Sequence, residues 1–444
     1  MTDTNVARVV IIGGGFGGLE AATHLAKAPV SLLLLDRKNH HTFQPLLYQV
    51  ATAGLSPAEI AGPLRSILGN RKNVEVLLSE VTGFDLARKL VITADAEIPY
   101  DYLIVAAGAR HSYFGHDDWE PLAPGLKTIE DALEIRRRIL TVFEDAERHA
   151  ALHGHHEDLN FVVVGGGPTG VELAGTITEV ARQALASDFH NIDPKRTRVI
   201  LVEGGPRVLA AYPPDLSQSA EDQLKKLGVE VRTSTVVTNV TEHEVHMGNE
   251  ILPSSVTLWA AGVAASPLGR ALGQPVDKAG RVPVLPDCTI PGHPEVFVIG
   301  DLAEFKDATG KMLPGVAPAA MQMGRYVAKT IKDDLAHRPR QPFHYNDRGS
   351  LATIGRAAAV AQFPKFKMTG YPAWLAWLFI HIMFLIGFRN RILVIIQWAW
   401  SYFTYERGAR LITDEVGRLR EVRRSPDSKP PDAPELEPVE RRSA

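Results

Sequence analysis

RVVIIGGGFGGLEAATHLA, residues 8–26, decides how the rest of the chain is read. An apolar run stops at a cluster of glycines and resumes as a helical pattern, the grammar of strand, turn and helix. Gly13, Gly15 and Gly18 satisfy G-x-G-x-x-G directly after the strand and directly before the helix. The first glycine permits the tight turn, the second lets a pyrophosphate approach the backbone, and the third lets the helix pack on the strand. The N–H groups at the helix start then face the phosphates. VSLLLLD follows as a second strand, and Asp36 at its end is placed to accept hydrogen bonds from ribose hydroxyls.

NFVVVGGGPTGVELAGTI, residues 160–177, repeats this grammar with Gly165, Gly167 and Gly170, and RVILVEG brings Glu203 to the end of the following strand. The acid comes later than in the first copy because 183–194 reads as an insertion after the helix. A carboxylate at this position favours a free 2′-hydroxyl and repels a 2′-phosphate, so NADH is preferred over NADPH, with Arg207 near enough to soften the preference. Each copy is a βαβ unit on a parallel sheet. The fold class is therefore α/β, with two Rossmann-like dinucleotide-binding domains. Two nucleotide sites in one chain most simply mean FAD in one and a nicotinamide in the other, with hydride transfer between stacked rings.

Outward from these units, 74–81, 89–92 and 100–109 read as strands, and 129–149 as a charged helix. HGHHED at 153–158 reads as an exposed linker. VTLWAAGV at 256–263 mirrors YLIVAAGA of the first half, and VFVIGDLAEF at 296–305 is a further strand running into an acid. The expected division is an FAD-binding domain in two parts, 1–125 and 271–340, around an NADH-binding domain at 126–270. A C-terminal anchoring region at 341–423 and a Pro- and charge-rich disordered tail at 424–444 follow.

The chain's 444 residues are enough for two or three domains, and 45% apolar with 22% charged residues excludes a largely disordered protein. A net charge of −3 gives no basic field for nucleic acid. One cysteine, Cys288, excludes an internal disulfide and any dithiol redox pair, and fits a reducing compartment. Residues 1–8 are polar and carry no secretory signal, so the expected location is the cytoplasmic side.

The segment 371–388 is eighteen residues without a formal charge, followed by Arg389-Asn390-Arg391 and fourteen further residues to 405. Trp374, Trp377, Trp398 and Trp400 fall within it. Eighteen is at the short end for a spanning helix and the second run is too short to return. Lys365, Lys367, Arg389, Arg391, Arg407 and Arg410 flank the apolar runs. Aromatic rings with basic flanks suit the headgroup boundary, so a monotopic membrane anchor is expected ahead of a spanning helix or a buried dimer core.

The first glycine motif, HTFQPLLYQVATAGLSPAEIAGPLR (41–65), the second motif with VELAG, VFVIGDLAEF, GVAPAAMQMGRYVA and the aromatic C-terminus follow one another in order. In this the chain resembles the type II NADH dehydrogenases, single-subunit NADH:quinone oxidoreductases that do not pump protons. The resemblance spans about 8–412 and implies a homodimer on the cytoplasmic face of the cell membrane, a membrane quinone as partner, and FAD and NADH as cofactors. It implies that Gly13, Gly15, Gly18 and Asp36 hold FAD, with Asp301 on its ribityl and phosphate region. Gly108 would pass close to the flavin, and Gln44, Pro45 and Leu46 would lie near its ring. Gly165, Gly167, Gly170, Glu203 and Gly262 would bind NADH, and Glu172 would aid coupling to the quinone. The family's Ala-Gln-x-Ala-x-Gln motif stands here as Ala317-Pro318-Ala319-Ala320-Met321-Gln322. Pro318 has neither an amide side chain nor a backbone N–H, which leaves Gln322 as the polar candidate at the quinone.

His153, His155 and His156 lack a second cluster at metal-ligand spacing and read as solvated linker. Sulfide:quinone oxidoreductases and flavin disulfide reductases need paired cysteines that this chain does not have. An NADH-dependent flavoprotein reductase of a protein acceptor, such as a ferredoxin-type reductase, remains a rival, as does a slow-turnover flavin-binding redox sensor. Neither explains the aromatic C-terminus.

Overall fold

The computed structural model describes residues 6–69, 71–154, 156, 158–404 and 407–412. The expected disordered tail at 424–444 lies outside the described residues.

The first glycine unit belongs to a six-stranded sheet in the order Thr289–Ile290, His293–Val298, Tyr102–Val105, Arg8–Ile12, Ser31–Asp36 and Val74–Leu78. All its pairings are parallel except the edge pair Thr289–Ile290 with His293–Val298. Its central strands are buried on both faces, which is why they read as unbroken apolar runs. Helix Phe16–Leu25 covers one face and packs on Ala317–Leu335. The approach is close, because a Cβ on Gly324 would lie 2.3 Å from the Gly17 carbonyl oxygen.

The expected strand at 74–81 is two strands in two sheets. Val74–Leu78 closes the six-stranded sheet, whereas Val81–Asp85 pairs antiparallel with Leu90–Thr93. An apolar run carries no mark of where the chain leaves one sheet for another.

The second glycine unit forms a four-stranded parallel sheet in the order Val229–Arg232, Arg198–Val202, Asn160–Val164 and Val256–Trp259. Helix Ile129–His153 starts with a capping box between Thr128 and Asp131 and stops at the left-handed Gly154. Helix Pro168–Glu179 runs into a π-helical turn at Val180–Ala184, which leads into the insertion expected at 183–194.

The C-terminal region opens with a three-stranded antiparallel sheet, Ser350–Gly355, Ala358–Gln362 and Lys367–Thr369. It lies against Pro168–Glu179 so closely that a Cβ on Gly175 would sit 1.6 Å from the Ile354 carbonyl oxygen. Two helices follow, Gly370–Phe384 and Phe388–Thr404. Among the described residues no helix is long and apolar enough to cross a membrane. Each helix buries one stripe, with Ala373 and Trp377 on the first and Val394 on the second. On the first, Leu375, Phe379 and Met383 are exposed at a spacing of four residues; on the second, Phe388, Ile392, Ile396, Trp400 and Phe403 form a comparable stripe.

Candidate active site

The two glycine turns are built alike. Gly13 and Gly165 take φ values of +98° and +110°, and a Cβ on either would strike backbone atoms of Ala106 or Ala260 at 2.5 Å. A Cβ on Gly18 would lie 1.8 Å from the Gly13 carbonyl oxygen, and one on Gly170 equally close to that of Gly165. Gly15 and Gly167 instead face open space, which leaves the approach to both helix N-termini clear. Each turn has the backbone geometry and clearance that suit a pyrophosphate.

Each cradle has its acid. Asp36 accepts the Gly14 N–H at 2.6 Å and the Lys38 N–H at 2.7 Å. Glu203 accepts from Gly166 at 2.5 Å and from Gly205 at 2.6 Å. Arg207, expected to soften the effect of Glu203, is committed to the carbonyls of Tyr212 and Ala210 at 2.9 and 2.8 Å.

Around the first turn stand Asp301, in a 3-10 turn with Lys127 Nζ 3.6 Å from its carboxylate, and Gly108, at φ +66° with no atom within 4 Å of a Cβ position. Gln44–Leu46 is a 3-10 turn with Leu46 buried and Gln44 exposed. Phe16 and Phe43 meet edge-on nearby, at 6.0 Å between ring centres. His41, the first residue of the 41–65 motif, carried no role from sequence and belongs to this group. It is 2% exposed, its Nδ1 lies 2.9 Å from the Gly14 carbonyl oxygen, and its Nε2 has no partner among the described residues. Burial lowers the imidazole pKa, so the ring is neutral. With the proton on Nδ1, the tautomer the carbonyl selects, Nε2 is left as an acceptor. A glycine cradle, a carboxylate at the strand end and an orphaned buried acceptor fit the FAD expected at this turn.

Glu172 lies where three elements converge: the helices Leu47–Ala51 and Pro168–Glu179 and the strand Ser350–Gly355. The helix begins at Pro168, so Glu172 stands past the first turn and the helix dipole is not its explanation. Burial pushes its carboxyl up to about 8, against a lowering hydrogen bond from the Thr353 backbone. Its field in turn raises the hydroxyls of Tyr48 and Tyr212, both already raised by burial.

Two helical turns on, Glu179 borders a cavity of about 120 Å³. Tyr48, Gln49, Trp374, Trp377, Trp398 and Arg407 contribute to its walls. Gln49 donates to the Tyr48 hydroxyl at 2.9 Å and accepts from the Trp398 indole at 2.7 Å. Trp377 is 2% exposed, stacks on His381 at 4.2 Å, and its indole N–H finds no acceptor among the described residues. The flanking basic residues Arg407 and Arg410 turn inward rather than outward. Arg407 binds Thr52 and Glu179, and Arg410 binds Ala184 and Asp188.

Gln322 is engaged at both ends of its amide. Nε2 donates to the Asn346 carbonyl and Oε1 accepts the Asn346 N–H, each at 2.9 Å. Pro318 is the second residue of its helix, where a missing N–H costs no helical hydrogen bond. Cys288 is fully buried, and burial pushes its thiol up, so it is no nucleophile. Among the described residues no cluster suited to a metal ion occurs.

Residues 7–324 match the family described as pyridine nucleotide-disulphide oxidoreductase, and 348–405 match the NDH2 C-terminal domain. Type II NADH:quinone oxidoreductase Ndh of Mycobacterium tuberculosis is 46% identical over 93% of this chain and 92% of its own length. The same organism's NdhA is 47% identical over 92% of this chain and 90% of its own. NDH2 of Plasmodium falciparum, solved in complex with NADH, has the same fold, at a TM-score of 0.83 and 21% identity over 92% of this chain and all of that one.

Proposed function

The chain belongs to the type II NADH:quinone oxidoreductases, and we infer from that membership that it oxidises NADH and reduces a quinone without pumping protons, with FAD as its bound cofactor. FAD supplies the two-electron chemistry between the two substrates. The residues around it supply binding, orientation and a proton.

Gly13, Gly15, Gly18 and Asp36 hold FAD, with Asp301, Gly108, His41 and the Gln44–Leu46 turn about it. Gly165, Gly167, Gly170 and Glu203 hold NADH, whose free 2′-hydroxyl the Glu203 carboxylate accepts. NADH and a quinone give NAD⁺ and a quinol only if one further proton is taken up. Glu172 is the residue for that proton. With its pKa near 8, its carboxyl carries a proton at neutral pH, and Tyr48 connects it to the aromatic cavity. Glu172 stands on the helix that starts at the second glycine turn and ends at Glu179 on the cavity wall, and that placement is the observation that carries the mechanism.

The cavity takes the quinone ring, and its volume is of the order of the ~150 Å³ that holds one benzene in an engineered cavity. Trp377 donates to a quinone carbonyl. Gln322, with both ends of its amide engaged, holds the Asn346 loop. The exposed apolar stripes of the two C-terminal helices lie on the lipid headgroup boundary. Fully burying four such side chains would contribute roughly 6–12 kcal/mol. This supports peripheral attachment; the cytoplasmic face, where both NADH and a lipid-soluble quinone would reach the protein, and the homodimer are proposed on the family resemblance.

Steady-state NADH oxidation with a short-chain quinone tests the reading. Glu172→Gln should lower kcat about a hundredfold while NADH binding is retained. An unchanged kcat removes Glu172 from the mechanism.

A further inference from the structure

The structure gives Gly262 a reason beyond the NADH contact expected of it. Its backbone is not in the left-handed region. A Cβ there would lie 2.7 Å from Cζ of Phe114. Its counterpart in the first half, Gly108, has φ +66° and nothing within 4 Å. The two halves, alike at their glycine turns, therefore part at this point. Space over Gly108 is open, and space over Gly262 holds a phenyl ring.

That ring is an odd one to keep. Phe114 is 68% exposed and its backbone sits at φ +55°. A bulky residue with positive φ is an outlier, and such conformations persist where the surrounding structure over-determines them. The ring stands on a rigid floor. It meets Trp259 edge-on at 6.3 Å, and Trp259 stacks on Tyr113 at 5.2 Å and donates its indole N–H to the Ser112 carbonyl at 2.8 Å.

Its position has a direction. In parallel α/β sheets ligands lie beyond the carboxyl ends of the strands. Glu203 follows Arg198–Val202 on one side of the Gly165 turn, and Gly262 follows Val256–Trp259 on the other. With the adenosine ribose at Glu203, the nicotinamide half of the dinucleotide extends towards Gly262.

We propose that Phe114 is a positioning residue for NADH, its exposed phenyl face packing against the nicotinamide riboside half, with Gly262 kept side-chain-free to seat the ring. The inference rests on the second glycine turn being the NADH site. Because Phe114 is exposed, truncating it leaves the core untouched.

The test uses the FAD-loaded protein and compares NADH with ADP-ribose, which lacks the nicotinamide. Phe114→Ala should raise the NADH Kd and KM about tenfold and leave ADP-ribose affinity, melting temperature and quinone KM unchanged. Phe114→Tyr, which keeps the ring, should restore NADH binding. An unchanged NADH Kd in Phe114→Ala overturns the proposal, and so does an equal loss of ADP-ribose affinity. If the unmodified protein binds neither NADH nor ADP-ribose, the reading of the second turn fails and takes this inference with it. If it binds both and Phe114→Ala alters neither, this inference alone falls.

Discussion

Arg407 Nη2 lies 3.4 Å from Glu179 Oε2, and both side chains are largely buried, at 12% and 14% exposure. The pair fastens the segment after the last helix to helix Pro168–Glu179, and Arg407 also donates to the Thr52 carbonyl at 3.0 Å. Burial pushes the Glu179 carboxyl up and the Arg407 guanidinium down, and each charge offsets the other's cost.

Breaking one side of a buried pair leaves an uncompensated charge. Arg407→Met should destabilise the protein by about 3–5 kcal/mol at neutral pH. Arg407→Met combined with Glu179→Gln should recover most of that loss. Denaturant melts of the parent protein and the two variants measure both. A double variant as unstable as the single one would show that packing, not charge, sets the cost.

Glu172 makes stability depend on pH. Its carboxyl is raised from 4.5 to about 8 by burial, so the folded state holds a proton that the unfolded chain releases. The stabilisation from this group is full below pH 4.5 and is lost as pH rises through about 8. Its slope is at most about 1.4 kcal/mol per pH unit. Glu172→Gln stays neutral throughout, so it should flatten that slope and be the more stable protein above pH 8. Thermal melts across pH 5–9 check the sign.

Glu203→Arg removes the hydrogen bonds to Gly166 and Gly205 and places a cation where a 2′-phosphate would sit. It should cut kcat/KM for NADH about tenfold or more and admit NADPH. Unchanged cofactor preference in initial-rate assays refutes the role given to this acid.

Much of this was legible because glycine writes its constraints locally. The positive φ of Gly13 and the contact of Gly18 with Gly13 depend on residues a few positions apart, so a short motif records them. The acid at the end of the next strand is recorded the same way. What stayed hidden depends on distant partners. The raised pKa of Glu172 comes from burial where Leu47–Ala51 and Ser350–Gly355, far away in the chain, pack on its helix. Arg407 and Arg410 read as headgroup ligands until their acids, Glu179 and Asp188, came into view. Gly262 carries no local sign that Phe114 needs its space.

The C-terminal helices give a prediction that deletion cannot. Trp377, Leu385 and Val394 belong to the same buried cluster as the nucleotide-domain core, so removing the region would unfold more than an anchor. Phe379 and Phe403 are 65% and 80% exposed. Phe379→Asp with Phe403→Asp should abolish sedimentation with liposomes and leave the melting temperature within a degree or two. Retained liposome binding would move the contact elsewhere. Lost self-association with unchanged liposome binding would assign the stripe to a dimer.

Trp377→Phe keeps the stacked ring and removes one donor. If its indole N–H binds a quinone carbonyl, the quinone KM should rise about threefold to tenfold, the worth of one hydrogen bond, while NADH affinity stays the same. An unchanged quinone KM would clear Trp377 of the role.

Anaerobic stopped-flow absorbance of the purified protein tests the central claim most directly, with NADH added first and a short-chain quinone second. Rapid bleaching of the flavin band by NADH and rapid recovery with quinone is the predicted result. Bleaching without recovery would contradict the quinone as acceptor, and no bleaching would contradict the oxidoreductase itself.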